Sequence, residues 1–254
     1  MKISSKNSPP FFSVIIATKN ISEEFHDTMK SIFTQKFKSY EITLIDSSNN
    51  EKSKNIINSY TDKLDHFLNK GDKGIYDAWN QGLEVSRGNW IIFLGSGDTL
   101  LANIFDKVFN DIESSDLDLF FTNINLVSND YIKTIKPNKF SLSSLSKFKQ
   151  PPHPGIFHNK NLFNKYGNFN NQYKIAGDYE LLLRVVGKVK YEILDLTSVN
   201  MIAGGISQTI KVLNEGFRIQ YADKRLGITS IFYNYLRLFF SVKFQMIKNY
   251  YRNL

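Results

Sequence analysis

The stretch over residues 72–98, DKGIYDAWNQGLEVSRGNWIIFLGSGD, contains the pattern that decides the fold. It begins as a polar turn and continues with apolar residues at helical spacing as far as Leu83, which predicts a helix. The apolar run over residues 90–94 follows and ends at the polar loop 95–98, as is typical of a buried parallel strand. A helix, a buried strand and a polar loop in this order predict one unit of an α/β sheet.

The same alternation extends to both sides of this stretch. Upstream, the apolar runs 11–17 (FFSVIIA) and 40–45 (YEITLI) each end in a polar cluster, and a segment with helical spacing separates them. Downstream, the pattern predicts a helix over residues 104–112 and a strand over residues 118–123. Alternating strands and helices predict an α/β fold with parallel βαβ units and helices on both faces of the sheet.

The second half of the chain is less regular. Residues 140–149 are rich in Ser and Lys and predict a mobile loop, whereas residues 177–186 predict a helix. Residues 192–202 predict a strand that ends at Gly204-Gly205. We predict three parts of the chain: a flexible N-terminus over 1–10, one domain over 11–223, and a basic, aromatic helical tail over 224–254.

The composition limits the kinds of site that the chain can hold. Cysteine is absent, which excludes disulfides, thiolate metal sites and cysteine nucleophiles and fits a reducing compartment. No apolar run precedes Phe11, so the start predicts no secretory signal and we expect a cytoplasmic protein. There are 32 Lys and Arg against 24 Asp and Glu, a formal net charge of +8. A basic surface attracts nucleic acid, anionic lipid or phosphorylated small molecules, and composition alone leaves all three open.

Polar side chains stand where the predicted strands end, which is where open α/β sheets bind their ligands. They are Thr18, Asn20, Asp46, Ser96 and Asp98. The carboxylate in loop 95–98 can hold Mg²⁺ or Mn²⁺ against a diphosphate, and the adjacent glycines let a phosphate approach the backbone. Asp98 as a helix N-cap is the alternative. A dinucleotide-binding loop is a further rival, but Leu100 stands in place of its third glycine.

Other polar residues fall on predicted helices and loops. Asp77 and Asn80 are three residues apart and share one face of a helix whose free N–H groups can meet an anion; an ordinary capped helix is the alternative. Asp178 lies at a helix start, where an acid either complements the helix dipole or serves as a general base. His153 lies between two prolines and is the histidine that we expect to contact a ligand.

In this order the segments resemble glycosyltransferase family 2, and within it the subgroup that includes the colanic-acid and O-antigen transferases of bacteria. The matching segments span roughly the first four-fifths of the chain. They are SVIIATKN (13–20), EITLIDSSNN (41–50), the stretch 72–98, HPGIF (153–157), AGDYELLLR (176–184) and GGIS (204–207).

The resemblance implies a GT-A fold, with a mixed sheet, flanking helices and a C-terminal helical tail, and inversion at the anomeric carbon of a nucleotide-diphosphate sugar. By position, Asp98 would hold Mn²⁺ or Mg²⁺ and Asp178 would be the catalytic base. His153 would lie on the acceptor side. The donor-binding residues would be Thr18 and Asp46 at the base and ribose, Asp77 and Asn80 at the diphosphate-sugar, with Asn20 and Ser96.

One departure concerns the metal motif. Many family members have two adjacent acids there, whereas here Gly97 takes the place of the first acid. The resemblance therefore predicts the fold more firmly than it predicts a metal requirement.

The predicted function is inverting sugar transfer in bacterial surface-polysaccharide biosynthesis (O-antigen, capsule or exopolysaccharide). We expect a UDP-sugar as donor, a saccharide or polyprenyl-diphosphate-linked acceptor, and no nucleic acid. A sugar-nucleotide nucleotidyltransferase is one alternative, but it would need a Gly-rich loop where the chain has Thr18-Lys19-Asn20. A basic nucleic-acid-binding module is another, but acids at the strand ends would repel phosphate.

The tail has no acidic residue after Asp223 and contains six Lys and Arg. Helical spacing predicts one broad apolar face: Phe232, Tyr235, Leu236, Phe239, Val242, Met246 and Tyr250. No uncharged apolar run reaches the roughly 20 residues of a spanning helix. We predict peripheral contact through residues 227–254 with the cytoplasmic face of the inner membrane. Packing of this helix on the core, or on a second subunit in a homodimer, is the alternative.

Overall fold

The computed structural model describes residues 8–204 and 210–252, and within them a nine-stranded mixed sheet with flanking helices. The strands are β1 (Phe12–Thr18), β2 (Tyr40–Asp46), β3 (His66–Leu68), β4 (Trp90–Gly95), β5 (Thr99–Leu100), β6 (Leu119–Val127), β7 (Ile132–Ile135), β8 (Ile156–Asn159) and β9 (Tyr191–Ile202). The helices are α1 (Glu24–Phe33), α2 (Glu51–Asn58), α3 (Ile75–Val85), α4 (Ile104–Ile112), α5 (Leu142–Ser146), α6 (Lys160–Tyr166), α7 (Gly177–Val185), α8 (Ile210–Ala222) and α9 (Ile228–Arg252).

The strand order is β3-β2-β1-β4-β8-β6-β9-β5, and β7 pairs with β6. Strands β3, β2, β1 and β4 are parallel, as the alternation of strands and helices predicts. Strand β8 is antiparallel to both β4 and β6, so the second half of the chain makes the sheet mixed. The predicted α/β fold with a mixed sheet and flanking helices is confirmed.

Strands β1, β2 and β4 are buried on both faces, which explains why they are mostly apolar, whereas β3 at the side of the sheet is partly exposed. On β1, Ile15 packs with residues of α3 and α7, whereas Val14 and Ile16 pack with residues of α1, α2 and α4. Helix α3 lies close to β1 because Gly82 has no side chain: a Cβ there would lie 2.6 Å from Cγ2 of Ile15. This close approach fixes the start of α3 beside the carboxyl ends of the strands.

The strand register brings the polar strand ends together. Thr18 on β1 pairs with Asp46 on β2, and Ala17 pairs with Gly95 on β4. The loops that follow these three strands therefore lie at one edge of the sheet, where an α/β fold binds its ligands.

Residues 140–149 do not form the predicted mobile loop. They include α5, and Leu145 on that helix is fully buried. The Tyr179 hydroxyl donates to the Leu145 carbonyl at 2.8 Å, and the Gln220 amide donates to the Ser146 carbonyl at 3.1 Å. Local composition predicts a loop here, but contacts from α7 and α8 order the segment.

Helix α9 packs against α8 with one side of its first half. Ile231 and Asn234 are buried, and the Tyr235 hydroxyl donates to Asn214 Oδ1 at 2.7 Å. Phe232 and Leu236, two residues of the predicted apolar face, are exposed, whereas the buried Ile231 lies outside that predicted face. Packing on the protein's own core, one of the alternatives for the tail, is therefore present in this half.

Some predictions fall outside the described residues. These include most of the predicted flexible segment 1–10 and the GIS part of the GGIS segment, so the division into parts at residues 10 and 223 stays a prediction. Within residues 8–204 and 210–252, no helix is long and apolar enough to cross a bilayer.

A buried carboxylate connects three strands at the opposite edge of the sheet. Glu41 accepts a hydrogen bond from the Ser13 hydroxyl at 2.6 Å, one from Gly88 N at 3.3 Å and one from Arg87 Nε at 3.0 Å. Its side chain is only 1% exposed, so these donors replace water that the carboxylate has lost. They join the first residues of β1 and β2 to the turn before β4.

We expect Glu41→Ala to lower the free energy of unfolding by about 2 to 4 kcal/mol, because it leaves the buried Ser13 hydroxyl and the Arg87 N–H without their acceptor. Glu41→Gln, which keeps one oxygen, should cause a smaller loss. Urea unfolding followed by circular dichroism measures both. Glu51→Ala, at an exposed ion pair with Lys54, is the matched control and should change the stability by less than about 0.5 kcal/mol. Equal losses at positions 41 and 51 would contradict the prediction.

Candidate functional site

A cleft of about 490 Å³ opens at the ends of β1 and β2 and at the start of α3. Its described lining residues are Ala17, Thr18, Lys19, Ser47, Asp72, Lys73, Gly74, Ile75 and Ala78. Of the predicted donor-binding residues, Thr18 alone belongs to this lining set. The cleft lies where the sequence places the donor, but loop residues that the sequence prediction did not select form most of its wall.

The cleft suits an anion. Lys19 and Lys73 are among its lining residues, and α3 begins there after Gly74 with no side chain capping its first turn. Asp72 also lines the cleft, but its Oδ1 already accepts a hydrogen bond from Gly74 N at 2.9 Å. Uncapped N–H groups and the helix dipole favour a negative charge at this place. The Lys174 ammonium donates to the Lys73 carbonyl at 2.8 Å and so ties this loop to the segment before α7. Sequence reasoning did not select Lys19, although its position directly after β1, at a strand end, could have identified it as a lining residue.

Asp46 and Asn20 form a network behind the cleft. The Ser48 hydroxyl donates to Asp46 Oδ1 at 2.6 Å and accepts from Asn20 N at 2.6 Å. The Asn69 amide donates to Asp46 Oδ2 at 3.3 Å. Asp46 is buried, so here it holds the loops after β1 and β2 in place. The predicted contacts of Asp46 and Asn20 with a donor stay predictions.

Asp77 and Asn80 share one face of α3, as their spacing predicts. The Asn171 amide donates to Asp77 Oδ1 at 2.8 Å, and the Asn80 amide donates to Asn171 Oδ1 at 2.8 Å. Asn80 also donates to the Phe169 carbonyl at 2.9 Å. In this structure both side chains hold the loop before α7, so their predicted role at the diphosphate-sugar stays a prediction.

Asp98 folds back on its own loop. Its Oδ2 accepts from Gly95 N at 2.8 Å, and its side chain is almost fully buried. Burial raises the pKa of the Asp98 carboxyl to about 6, although hydrogen bonds from Gly95 and Ile202 act in the opposite direction. In the same loop, Ser96 Oγ is buried and has no hydrogen-bond partner within the described residues.

The loop around Asp98 offers few side-chain ligands for a metal ion. Within residues 8–204 and 210–252 no group of three or more His, Asp or Glu side chains could hold a metal ion. Mg²⁺ in phosphate-binding sites needs only one or two carboxylates, because phosphate and water complete its coordination. Asp98 alone provides the one carboxylate that such a site requires, so its chemistry suits an ion that binds together with a diphosphate.

Asp178 lies in the first turn of α7, next to α3. The Tyr76 hydroxyl donates to its Oδ1 at 2.9 Å, and the Gln150 amide donates to its Oδ2 at 3.2 Å. Burial raises the pKa of the Asp178 carboxyl, and the hydrogen bonds from Tyr76 and Gln150 partly oppose that rise. Tyr76 is adjacent to Ile75, which lines the cleft. Asp178 is thus a carboxylate with a raised pKa that is held in place by Tyr76, and the chain neighbour of Tyr76 lines the cleft.

Glu215 on α8 holds the segment that leads into α7. Its carboxylate accepts from Lys174 N at 2.7 Å, Ile175 N at 2.7 Å and Ala176 N at 2.6 Å. These three N–H groups belong to the segment directly before α7, so Glu215 ties that segment to α8. Sequence reasoning did not find Glu215, because nothing near it along the chain indicates a partner 40 residues away.

His153 differs from its prediction. Its ring stacks on Trp79, with centroids 4.6 Å apart, and lies 5.3 Å from the ring of His158. Burial lowers the pKa of His153 to about 3, so the imidazole is neutral. The flanking prolines turn the ring into the core, and this position does not agree with contact with an acceptor.

We expect Asp98→Asn to stabilise the metal-free protein at pH 8. The pKa of Asp98 is higher in the folded chain than the ordinary value of 3.8. Its contribution to stability is therefore fully present below about pH 4 and is lost as the pH rises through about 6. At pH 8 the substitution should raise the free energy of unfolding by about 1 to 3 kcal/mol, since one pKa unit corresponds to about 1.36 kcal/mol.

Thermal and urea unfolding in the presence of EDTA, at pH 8 and at pH 4.5, measures this effect. The gain should shrink at the lower pH. Asp111→Asn, at an exposed position on α4, is the control and should change stability little at either pH. A destabilised Asp98→Asn protein at pH 8 would contradict the prediction.

The fold is shared with solved structures of other proteins. S. aureus TarS 1–349 in complex with UDP-GlcNAc superimposes with a TM-score of 0.67 at 16% identity, over 87% of this chain and 69% of that chain. The chain spans 39% of the longer TarS chain. The mannosyltransferase PcManGT from Pyrobaculum calidifontis, in complex with GDP-Man and Mn²⁺, gives 0.62 at 13% identity, over 87% and 66%. At these identities the likeness shows a GT-A-like fold alone.

Sequence comparison adds the family. The PGL/p-HBAD biosynthesis glycosyltransferase of Mycobacterium bovis is 28% identical over 228 residues, which are 86% of this chain and 87% of that protein. A glycosyltransferase of Methanocaldococcus jannaschii is 26% identical over 199 residues, 73% of this chain and 68% of that protein. The family described as Glycosyl transferase family 2 matches residues 13–179. Because this match covers more than half of the sequence, the chain belongs to glycosyl transferase family 2 and is a glycosyltransferase.

Proposed function

We propose that the chain transfers a sugar from a nucleotide-diphosphate donor to an acceptor hydroxyl with inversion, and that Asp178 is the catalytic base. The observation that carries this proposal is the position of Asp178. It is a half-buried carboxylate with a raised pKa, fixed by Tyr76 and Gln150, beside the helix whose start forms the anion-suited cleft. A carboxyl with a pKa shifted towards neutrality is an efficient general base.

The reaction follows from this arrangement. Asp178 accepts the proton of the acceptor hydroxyl as the hydroxyl oxygen forms a bond to the anomeric carbon. The bond from that carbon to the phosphate oxygen breaks on the opposite face, and the electron pair leaves with the nucleoside diphosphate. Lys19, Lys73 and the uncapped N–H groups at the start of α3 stabilise the charge that develops on the leaving diphosphate.

The donor is a nucleotide sugar, and we favour a UDP-sugar. TarS binds UDP-GlcNAc in a related fold, whereas PcManGT binds GDP-Man with Mn²⁺. In the present chain Asp98 would hold Mn²⁺ or Mg²⁺ together with the donor phosphates. When bound, such an ion would neutralise charge on the leaving diphosphate.

The proposed pathway is bacterial surface-polysaccharide biosynthesis at the cytoplasmic face of the inner membrane. The acceptor would be a saccharide, in the lipid-linked form that the resemblance to colanic-acid and O-antigen transferases suggests. The mycobacterial relative is named for a different pathway, PGL/p-HBAD biosynthesis. The assignment to that subgroup and to this pathway is therefore part of the proposal.

Helix α9 supports the membrane contact in this proposal. Phe232, Tyr233 and Phe240 are 54%, 69% and 65% exposed. These aromatic side chains lie in a tail that has six Lys and Arg and no acidic residue after Asp223. Exposed aromatics combined with cations suit the surface of an anionic membrane. The exposed side of α9 could also form a homodimer, which the liposome test below distinguishes.

We expect Asp178→Asn to lower kcat by about 10² to 10⁴-fold, because the acceptor proton has no base to receive it. The donor dissociation constant should stay within about threefold of the wild-type value, because Asp178 is not a lining residue of the cleft. Titrations with UDP-, GDP- and dTDP-sugars, with and without Mn²⁺, identify the donor, and a single-stranded oligonucleotide serves as the negative control. Full turnover by Asp178→Asn would remove Asp178 from this role.

Tyr76→Phe is the companion variant. The hydrogen bond from Tyr76 lowers the pKa of Asp178, so its removal should raise that pKa further. The acid limb of the kcat/KM profile should therefore move to higher pH, while activity at alkaline pH is largely retained. An unmoved acid limb would show that a different group controls it.

We expect the chain to co-sediment with vesicles that contain phosphatidylglycerol and much less with pure phosphatidylcholine vesicles. Replacing both Phe232 and Phe240 by Ser should weaken binding by about tenfold or more, because it removes apolar surface that enters the interface. Ile132→Ser, at a similarly exposed apolar residue on β7, is the matched control and should bind like the wild type. Equal binding by the double variant, or its conversion from a dimer to a monomer, would favour the alternatives.

A further inference from the structure

A second cavity, of about 260 Å³, lies against Asp178. Apolar and small residues form most of its wall: Phe148, Ile175, Ala176, Val212, Leu213, Gly216 and Leu238. The other described lining residues are Gln150, Asp178 and Tyr179, so no Lys or Arg is among them. The described lining of the donor cleft has two lysines and Asp72, whereas that of this cavity has one carboxylate, no cation and a mostly apolar surface.

Phe148 shows that the wall is held under backbone strain. Its φ angle is 57°, in the left-handed region that a bulky side chain rarely adopts. Its ring stacks on Tyr179, with centroids 5.4 Å apart, and lies directly on Gly216 of α8, where any Cβ would clash with it. Such a conformation costs on the order of 1 to 3 kcal/mol and persists where the surrounding structure imposes it, often at ligand sites.

The polar end of the cavity has an unused acceptor. The side-chain amide of Gln150 directs its Nε2 to Asp178, because an ionised carboxylate only accepts hydrogen bonds. Its Oε1 is buried and has no partner within the described part of the chain. A hydroxyl that entered beside Asp178 could donate to this oxygen.

We propose that this cavity binds an apolar group attached directly to the acceptor sugar, such as an aryl or alkyl aglycone. This inference rests on the proposed function, because it takes Asp178 as the base that meets the acceptor hydroxyl. Gln150 Oε1 accepts from a neighbouring hydroxyl of the same sugar, and the apolar group lies between Phe148, Val212 and Leu238. A cavity of about 150 Å³ is enough to bind benzene, so the present volume can hold a ring or a short chain.

The charges of the wall disfavour a phosphate at the same position. A sugar 1-phosphate or sugar diphosphate would place negative charge beside Asp178, and no Lys or Arg among the described lining residues offsets it, so like charges repel. The proposed function allows lipid-linked saccharides in general. This inference narrows the acceptor to sugars whose apolar group is attached directly, with no phosphate between the sugar and the group in the cavity.

Ligand-observed NMR on the full chain tests the inference without knowledge of the sugar. The probes are the phenyl and octyl glycosides of one hexose, below their micellar concentrations, with the methyl glycoside and the hexose 1-phosphate for comparison. We expect saturation to reach the aglycone protons of the phenyl or octyl glycoside, and both reference compounds to bind on the order of tenfold more weakly. Comparison of phenyl with octyl distinguishes an aryl from an alkyl acceptor.

Two variants locate the binding. Val212→Phe fills the cavity and Leu238→Gln makes its wall polar from a different helix, so each should weaken the glycosides on the order of tenfold. Arg218→Phe, at an exposed position on α8, is the matched control and should bind like the wild type. All three should keep wild-type donor binding, which confirms that they fold.

The outcomes separate this inference from the proposed function. If the chain binds and hydrolyses a nucleotide sugar but the glycosides bind no better than the methyl glycoside, the apolar subsite is wrong and the transferase function stands. The same conclusion follows if Val212→Phe and Arg218→Phe behave alike. If no nucleotide sugar binds, the proposed function fails whatever the glycosides do.

Discussion

A carboxylate that leaves water must receive hydrogen bonds from the protein, and this constraint organises both edges of the sheet. At one edge, Glu41 accepts from Ser13, Arg87 and Gly88, and so joins the first residues of β1 and β2 to the turn before β4. At the other edge, burial exceeds what hydrogen bonds compensate at Asp98 and Asp178, and the pKa of each carboxyl is raised. A well-satisfied carboxylate stabilises the fold, whereas an incompletely satisfied one is ready to accept a proton or a cation. The reaction that we propose needs the second kind of carboxylate beside the acceptor hydroxyl.

The sequence predicts the parallel half of the sheet well, because its three central strands β1, β2 and β4 are mostly apolar and are followed by polar residues. The prediction of one helix face for Asp77 and Asn80 is also correct, since helical spacing is local information. What the spacing could not reveal is that Asn171, more than 90 residues away, bonds to both side chains. The positions of Lys19 and Lys73 in the cleft wall follow from how loops fold over the sheet edge. That folding depends on contacts rather than on composition.

The segment over residues 140–149 shows that local composition can also predict a loop where distant contacts produce order. Its Ser and Lys residues favour a loop, and locally nothing contradicts this interpretation. The order comes from Tyr179 and Gln220, which bond to its carbonyl groups from two other helices. Because those helices also lie beside Asp178, the segment places Phe148 in the wall of the apolar cavity, and Gln150, the residue directly after the segment, lies in the same wall. A region that composition assigns to a mobile loop therefore becomes part of the wall around the proposed base.

Helices α8 and α9 connect the proposed chemistry to the proposed membrane surface. Glu215 fixes α8 to the three N–H groups before α7, so the position of α8 is coupled to that of Asp178. Helix α9 packs on α8 and contributes Leu238 to the apolar cavity, while Phe232 and Phe240 on the same helix face solvent. An acceptor with an apolar group partitions into a membrane for the same physical reason that it enters this cavity. Because α9 lines the apolar cavity and would also contact the proposed membrane surface, such an acceptor would reach Asp178 with little exposure of its apolar group to water.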